Sequence, residues 1–317
     1  MDFSIAESSF FNTSAYQLTN QIIGKGSSYT VKLIKDMFNG ELFAAKIIDF
    51  TTDFDGEAQM RFMRQPAILQ KLHHPAIVKF YGINFHSFDH SKQFQPTLLL
   101  EYLSKGSLKE MLDKEKKSAA DDEWNSTKKC IVLLGITHAM KYIHQKGIIH
   151  RNLNPSNILL DDNYYPRVSG FGLSRAFPHP LDISMKLDMS GNSGTLLYMA
   201  PELLNDDIQY GIGVDIYAFS ILAYEVITGK DPYDHGDKHV FSISQDIISG
   251  DRPNLSLDDI TDPMKDLLLR CWSEDVADRP SFDEIFKTLS SDFKLFINHK
   301  VDEKEILDYI QNLNKTL

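Results

Sequence analysis

Two glycines and a lysine are the first residues of this chain whose spacing could serve phosphate chemistry. Gly24 and Gly26 lie in the stretch GKGSSYTV, between two strand-like segments. A glycine backbone can approach a phosphate closely, although most such pairs are only tight turns. Lys46 follows twenty residues after Gly26, in the strand-like stretch FAAKI. The glycine pair alone is a weak signal, so the motifs further along the chain decide between the two interpretations.

The segments around these residues predict a strand-rich part followed by a helical part. Residues 16–49 read as three strands with a turn at Asn39-Gly40. A helix with apolar residues at helical spacing follows at 57–72, where we expect Pro66 to shorten or kink it. Two more strands are predicted in AIVKFYGINF and PTLLLEYL, and helices are predicted in SLKEMLDKEKK, 124–146, GVDIYAFSILAYEVITG, DPMKDLLLRCW and SFDEIFKTL.

The composition is that of a soluble globular protein. The 317 residues are 42% hydrophobic and 24% charged, and the net charge of -11 argues against a nucleic-acid or anionic-membrane surface. Cys130 and Cys271 lie in apolar stretches without a CxxC motif, which favours reduced, buried thiols. The N-terminal residues lack the features of a secretory signal. We expect a cytoplasmic protein with no nucleic-acid and no membrane partner.

Further motifs follow Lys46 in a fixed order: HRNLNPSN (150–157), SGFGLS (169–174), GTLLYMAPE (194–202), VDIYAFS (214–220) and CWSEDVADRPSF (271–282). In order and spacing, about residues 16–290 resemble a eukaryotic protein kinase domain, most similar to the tyrosine-kinase-like Ser/Thr branch. The resemblance implies an α+β, two-lobed fold with an antiparallel sheet and one main helix in the N-lobe. Its parts would be an N-lobe at 16–100, a hinge at 101–106 and a helical C-lobe at 107–290, with a flexible tail at 1–15 and a C-terminal helical extension at 291–317.

Two residues of the 150–157 loop depart from the family pattern HRDLKPSN. The family's Asp accepts or orients the proton of the substrate hydroxyl, but Asn152 stands here, and an amide has no basic lone pair near neutral pH. The family's lysine, which steadies the transferred phosphate, is Asn154. The resemblance therefore implies that this loop contains neither the general base nor the positive charge for catalysis.

The metal site and the small-lobe ion pair also depart from the family. Gly170 replaces the magnesium-binding Asp of the family's DFG motif, and Asn157, which resembles the other metal ligand, would bind magnesium weakly by itself. Gln65 replaces the helix glutamate that pairs with Lys46, so it could bond to the lysine only without charge. We therefore expect no metal site and no catalytic residue.

A nucleotide site is implied only in part. At the family's third loop glycine stands Tyr29, which could hinder the approach of phosphates or cover an empty pocket, or, alternatively, pack outward over the loop. Because the metal ligand is missing, we expect weak or no ATP binding. We also expect that no cofactor is required and that any ATP would bind without magnesium. The residues that remain for such a site are Gly24, Gly26, Val31, Ala44, Lys46, Glu101, Leu103, Asn157 and Leu159.

Positions with structural roles in the family are kept. His150, Phe171 and Asp215 match its internal stack, and Glu202 and Arg279 match a buried ion pair of the large lobe. Arg151 matches an arginine that in the family often grips a phosphate, here on Ser174, Ser184, Ser190, Ser193 or Thr195; the alternative is that it bonds only to backbone. Ile306, Leu307, Ile310 and Leu313 have helical spacing, typical either of packing on the large lobe or of docking a partner.

The sequence thus favours a pseudokinase that acts by binding proteins, as a scaffold or allosteric partner of active kinases or other signalling components. One alternative is a residual or atypical ATP-dependent Ser/Thr kinase. Another is a nucleotide sensor that binds ATP without hydrolysing it.

Overall fold

The computed structural model describes residues 5–26, 28–49, 56–89, 93–176, 193–205, 210–233, 240–296 and 299–315. They belong to two compact units: Met1–His73 with Ile77–Ser104, and His74–Ala76 with Lys105–Leu317. The predicted α+β class is confirmed, with a five-stranded antiparallel sheet in the first unit and mainly helices in the second. The chain passes to the second unit after Ser104, and it also contributes His74–Ala76 to that unit.

The first unit is built on one sheet, whose strand order is β1-β2-β3-β5-β4. Asp36 shapes the β2–β3 turn because its carboxylate accepts the backbone N–H groups of Phe38 and Asn39, and Gly40 adopts a positive φ of 78°. The apolar face of the sheet packs around Ile34, Phe43 and other buried side chains. The strands are β1 (Tyr16–Lys25), β2 (Tyr29–Asp36), β3 (Leu42–Ile48), β4 (Phe80–His86) and β5 (Phe94–Glu101).

Helix α1 (Gly56–Leu69) is the one α-helix of the first unit among its described residues. It continues through Pro66 and ends three residues later, so the proline neither stops the helix at once nor prevents its last turn. The helix buries Gln65, Ile68 and Leu69, which places the Gln65 amide inside the unit.

The N-terminal residues 5–15, for which the composition predicts a loose tail, instead lie along strand β4. Phe10 forms a parallel bridge with Ile83, and the Phe11 N–H donates to the Ile83 carbonyl at 3.2 Å. The Asn84 side chain donates to the Phe11 carbonyl at 2.5 Å, and Thr13 is buried. The expectation of a flexible tail is therefore wrong for these residues, because aromatic side chains and backbone groups attach them to the edge strand.

The second unit surrounds two apolar helices. In α5, nearly every residue from Gly213 to Val226 is buried, as expected of a helix that is hydrophobic all round. Helix α3 starts after the Asn125 side chain, which accepts the backbone N–H groups of Thr127 and Lys128. The helices are α2 (Leu108–Lys116), α3 (Ser126–Gln145), α4 (Pro201–Leu204), α5 (Gly213–Thr228), α6 (Val240–Ile248), α7 (Asp262–Cys271), α8 (Phe282–Ser291) and α9 (Glu303–Asn314).

Two short antiparallel sheets carry the loops of the second unit: β6 (Ile148–Ile149) pairs with β9 (Arg175–Ala176), and β7 (Ile158–Leu160) pairs with β8 (Pro166–Val168). Residues 150–157 therefore begin at one strand and end at another. Both ends of this loop are fixed by backbone pairing.

The last helix, α9, packs on α3 within the second unit. Ile306, Tyr309 and Leu313 are buried, whereas Leu307 is 55% exposed. The buried face is thus shifted from the predicted one, because Tyr309 lies against the Tyr165 ring, with 4.7 Å between ring centroids. In the described part of the chain no helix is long and apolar enough to cross a membrane.

Candidate functional site

Lys46 is the centre of the candidate site in the first unit. Strand β3 places it opposite Val31, and its ammonium group donates to the Gln65 side chain at 3.2 Å. The Lys46 residue is partly exposed, but its ammonium group is buried. This burial lowers the pKa of the ammonium group to about 8. Gln65 supplies an acceptor but no negative charge, so the lysine is held without the counter-charge that the family provides.

The Tyr29 ring covers this lysine. The Lys46 ammonium lies 4.0 Å from the ring centroid, a cation–π contact of about 0.5–2 kcal/mol. A Cβ built on Gly26 would overlap the same ring, with Cδ1 only 2.9 Å away. The Tyr29 ring therefore lies against both Lys46 and Gly26 of the glycine loop. Its effect on phosphate approach stays a prediction.

The other predicted nucleotide residues of the first unit lie on its sheet. Gly24 pairs with Val31 across β1 and β2, and Ala44 is buried on β3 between Leu33 and Leu100. At the end of β5 the Glu101 carboxylate accepts the Lys79 N–H at 2.6 Å. Leu103 is buried, and Leu159 lies in the second unit on β7.

Asp215 fixes the start of the 150–157 loop. Its carboxylate accepts the backbone N–H of His150 at 2.8 Å, that of Arg151 at 2.7 Å, and the His144 ring nitrogen at 2.9 Å. Burial alone would raise the pKa of Asp215, but the bonds from His144 and His150 outweigh it and lower the pKa. Arg151 has a positive φ of 66°, which an L-residue rarely adopts, so these bonds hold a strained backbone.

The three asparagines of this loop bond to one another. Asn154 Nδ2 donates to the carbonyl and to the side-chain oxygen of Asn152, at 3.1 and 3.0 Å. Asn157 Nδ2 donates to the Asn152 carbonyl at 2.7 Å. We call Asn152, Asn154 and Asn157 the amide loop. Each of its side chains is neutral, so the loop offers hydrogen bonds but no proton acceptor and no fixed charge.

Gly170 lies directly beside the amide loop. Its φ of 84° favours glycine, and a Cβ there would overlap the Asn157 side chain, with Nδ2 only 2.7 Å away. Ser169, next to it, donates its hydroxyl to the Asn157 carbonyl at 3.0 Å. Asn157 and Gly170, which occupy the positions of the family's two metal ligands, thus lie against each other.

The internal stack predicted in the second unit is present. His150 is fully buried, and its ring lies edge-to-face with Phe171, with 5.0 Å between ring centroids. His150 Nε2 lies 2.7 Å from the Ser169 carbonyl, and burial is the main cause that lowers the His150 pKa.

Arg151 Nη1 donates to the Leu173 carbonyl at 3.3 Å, and the guanidinium lies 5.0 Å from the centroid of the Tyr210 ring. Ser174 is fully buried and its hydroxyl donates to the His150 carbonyl, so it is not accessible for phosphorylation in this conformation. Ser184 and Ser190 lie outside the described residues, as do the side chains of Ser193 and Thr195.

Glu202 and Arg279 form the predicted ion pair. Both side chains are buried, and the guanidinium binds the carboxylate through two nitrogens, at 2.6 and 3.1 Å. Arg279 also donates to the carbonyls of Gly213 and Ser273. The pair therefore connects helix α4 with the first residue of α5 and with the segment before α8.

Two contacts lie beyond what the sequence suggested. Asp215 accepts three hydrogen bonds from residues far away in the chain, and Gly170 lies against Asn157. Only the contact of Gly170 had a signal in the sequence, the unusual glycine of the stretch SGFG. Among the residues that the structure describes, no group of three or more His, Cys, Asp or Glu side chains is placed to hold a metal ion.

Residues 17–289 match the protein kinase domain family. A probable serine/threonine-protein kinase of Dictyostelium discoideum is 30% identical over 277 residues, covering 86% of this chain and 19% of that protein. A probable LIM domain-containing serine/threonine-protein kinase of the same organism is 32% identical, covering 84% and 38%. Serine/threonine-protein kinase VIK of Arabidopsis thaliana is 30% identical, covering 84% and 58%. The chain spans from about one fifth to three fifths of the length of these relatives.

Proposed function

Because this chain belongs to the protein kinase domain family, we propose that it acts as a pseudokinase, which binds other proteins as a scaffold or allosteric regulator in phosphorylation signalling. Its partners would be active kinases or other signalling components. Its resemblance to the tyrosine-kinase-like branch is part of the same proposal.

The observation that carries the proposal is the amide loop. At the positions where the family has a general base, a phosphate-binding lysine and a metal-binding carboxylate, this chain has Asn152, Asn154 and Gly170. The side-chain amides of Asn154 and Asn157 donate hydrogen bonds to Asn152, and Gly170 lies against Asn157. Active kinases turn over at about 1–100 per second, and loss of a general base alone costs about 10²- to 10⁴-fold. The further losses at the metal and phosphate positions would bring turnover close to the uncatalysed rate.

Nucleotide binding is proposed to be weak or absent and independent of magnesium. Lys46 could attract a phosphate, but it lies under Tyr29 and lacks a charged partner in Gln65. Val31, Ala44 and Leu103 could still contact an adenine ring, which needs no metal. A cofactor is therefore not required for the proposed role.

A second candidate function is residual Ser/Thr phosphorylation, and the names of the relatives favour it, since each is called a serine/threonine-protein kinase. It would need a route that uses neither a base at position 152 nor a carboxylate at position 170. A nucleotide sensor that binds ATP without hydrolysing it is intermediate between the two.

A phosphate-transfer assay distinguishes these functions. We expect purified protein with magnesium and radiolabelled ATP to show no label on itself or on generic Ser/Thr substrates. The matched control is Lys46→Ala, which should be equally silent. Label that is present in the unaltered protein and lost in Lys46→Ala would contradict the proposal. Asn152→Asp with Gly170→Asp should recover little, because Gln65 and Asn154 remain.

A further inference from the structure

We propose that Tyr29 excludes polyphosphate from Lys46, and that shortening this one side chain turns the surface around Gly26 and Lys46 into an anion site. The inference rests on the proposed function only in taking Gly26 and Lys46 as the family's phosphate-side residues. Tyr29, Gly26 and Lys46 all lie in the first unit.

The position of Tyr29 on the sheet directs its ring towards the lysine. Val31 is the direct partner of Lys46 in the β2–β3 register, and Tyr29, two residues earlier, is the partner of Ile48. Because side chains alternate along a strand, Tyr29 and Val31 share the face on which Lys46 lies. The ring therefore reaches the ammonium group diagonally, with 4.0 Å from the ammonium nitrogen to the ring centroid.

The environment of Lys46 explains why the ring stays there. The ammonium group is desolvated, and its described polar partner is the neutral amide of Gln65. A desolvated cation without a carboxylate is stabilised by the negative face of an aromatic ring. A phosphate would satisfy the same cation better, but it could do so only after the ring has moved away.

The space beside Gly26 is occupied by the Tyr29 ring and is therefore closed to a phosphate. The backbone N–H of Gly26 donates to the Tyr29 carbonyl at 2.9 Å, which closes a tight turn, and the ring lies on the Gly26 Cα. A Cβ at this position would overlap three ring atoms of Tyr29. The glycine that the family needs for phosphate approach is thus needed here for the tyrosine.

The size of the effect follows from competition. A ligand that binds only the open conformation has its affinity reduced by the fraction of molecules in that conformation. Because the ammonium group is desolvated, the contact belongs to the upper part of the usual range, about 1–2 kcal/mol. The covered conformation should then be about 5- to 30-fold more populated than the open one. Removing the ring should therefore tighten polyphosphate binding about 5- to 30-fold.

The experiment measures binding of tripolyphosphate, without magnesium, to the full chain by calorimetry. We expect Tyr29→Ala to bind about 5- to 30-fold tighter than the unaltered protein, and Tyr29→Phe to bind like the unaltered protein because it keeps the ring. The gain should disappear in Tyr29→Ala with Lys46→Gln. An unchanged affinity in Tyr29→Ala, or an equal gain in Tyr29→Phe, would overturn the inference.

A second measurement does not depend on any ligand. Gly26→Ala should lower the melting temperature clearly in the unaltered protein and much less in the Tyr29→Ala background, because the overlap is then removed. Equal losses in both backgrounds would show that Gly26 does not serve the ring. Neither result depends on phosphate transfer, so failure here and failure of the pseudokinase proposal are separate outcomes.

Discussion

Two neighbouring regions of the second unit differ in the charge and bonding of their polar side chains. One is the ionic frame, by which we mean Asp215, Glu202 and Arg279, whose buried charges are all paired or hydrogen-bonded. The other is the amide loop, where neutral side chains bond to one another. A buried charge that holds segments together is costly to remove from one side only, whereas a charge that acts on a substrate can be lost without unfolding the protein. The difference separates residues that hold the fold together from positions that, in the family, act on the substrate.

The largest expected effect is in the ionic frame. Arg279→Met would leave Glu202 buried without its partner, so we expect a loss of about 3–5 kcal/mol in the free energy of unfolding, measured by urea denaturation. Arg279→Met with Glu202→Leu should recover most of this loss, because no isolated charge remains. A single-variant loss below about 1 kcal/mol would contradict the structural role of the pair.

Asp215→Asn should destabilise by about 1.5–3 kcal/mol at pH 7, because hydrogen bonds to a charged acceptor are lost or weakened. The folded-state pKa of Asp215 is lowered, so its contribution is present above the unfolded pKa near 4 and is lost as pH falls through the folded pKa. The difference from the unaltered protein should therefore shrink below about pH 4.

The matched control is Asp283→Asn. Asp283 is partly exposed and paired with Lys141 and Lys287, so its removal should cost far less. Equal losses for Asp283 and Asp215 would indicate that Asp215 has no special role in holding the loop.

Restoring the family's residues should affect the amide loop unequally. Asn152→Asp keeps an acceptor for Asn154 Nδ2, so we expect a change in stability within about 0.5 kcal/mol. Gly170→Asp must adopt a positive φ and displace Asn157, so we expect a loss of about 1–3 kcal/mol. Thermal or urea unfolding of the two variants checks this order, and the reverse order would show that the loop is not packed against Gly170.

The smallest effect concerns the lysine of the first unit. The folded-state pKa of Lys46 is about 8, below the model-peptide value of 10.5, so the unfolded chain binds the proton more readily between these values. The unaltered protein should therefore gain stability relative to Lys46→Met, by about 1 kcal/mol or more, as pH rises from 7 to 10. Parallel pH profiles for the two proteins would contradict the burial of this ammonium group.

The sequence predicted well what neighbouring residues decide. The β2–β3 hairpin follows from alternating polarity and Asn39-Gly40, and α5 follows from a continuous apolar stretch closed by Gly229. The pairs Glu202–Arg279 and Lys46–Gln65 were identified because the family resemblance fixed their partners.

The remainder depends on packing between distant segments. Residues 5–15 are polar enough to look unstructured, yet Phe10 and Phe11 attach them to β4. Helix α6 was not predicted, and on α9 the buried residue is Tyr309 instead of Leu307, because the aromatic face of Tyr165 lies opposite. The direction of the Tyr29 ring could not be predicted from the sequence either, since the ring of a strand tyrosine can pack against neighbouring side chains or point away from them.

The proposed pseudokinase would keep the kinase domain without a metal-dependent phosphate site, and a thermal-shift titration with ATP tests this proposal. Ligand at about 100 times its dissociation constant should add roughly 2.7 kcal/mol of stability, so binding of useful strength is easily detected. We expect a small shift or none with ATP, identical with magnesium and with chelator present. A strong shift that vanishes when magnesium is chelated would contradict the claim, because it would require a metal site that Gly170 and Asn157 cannot provide.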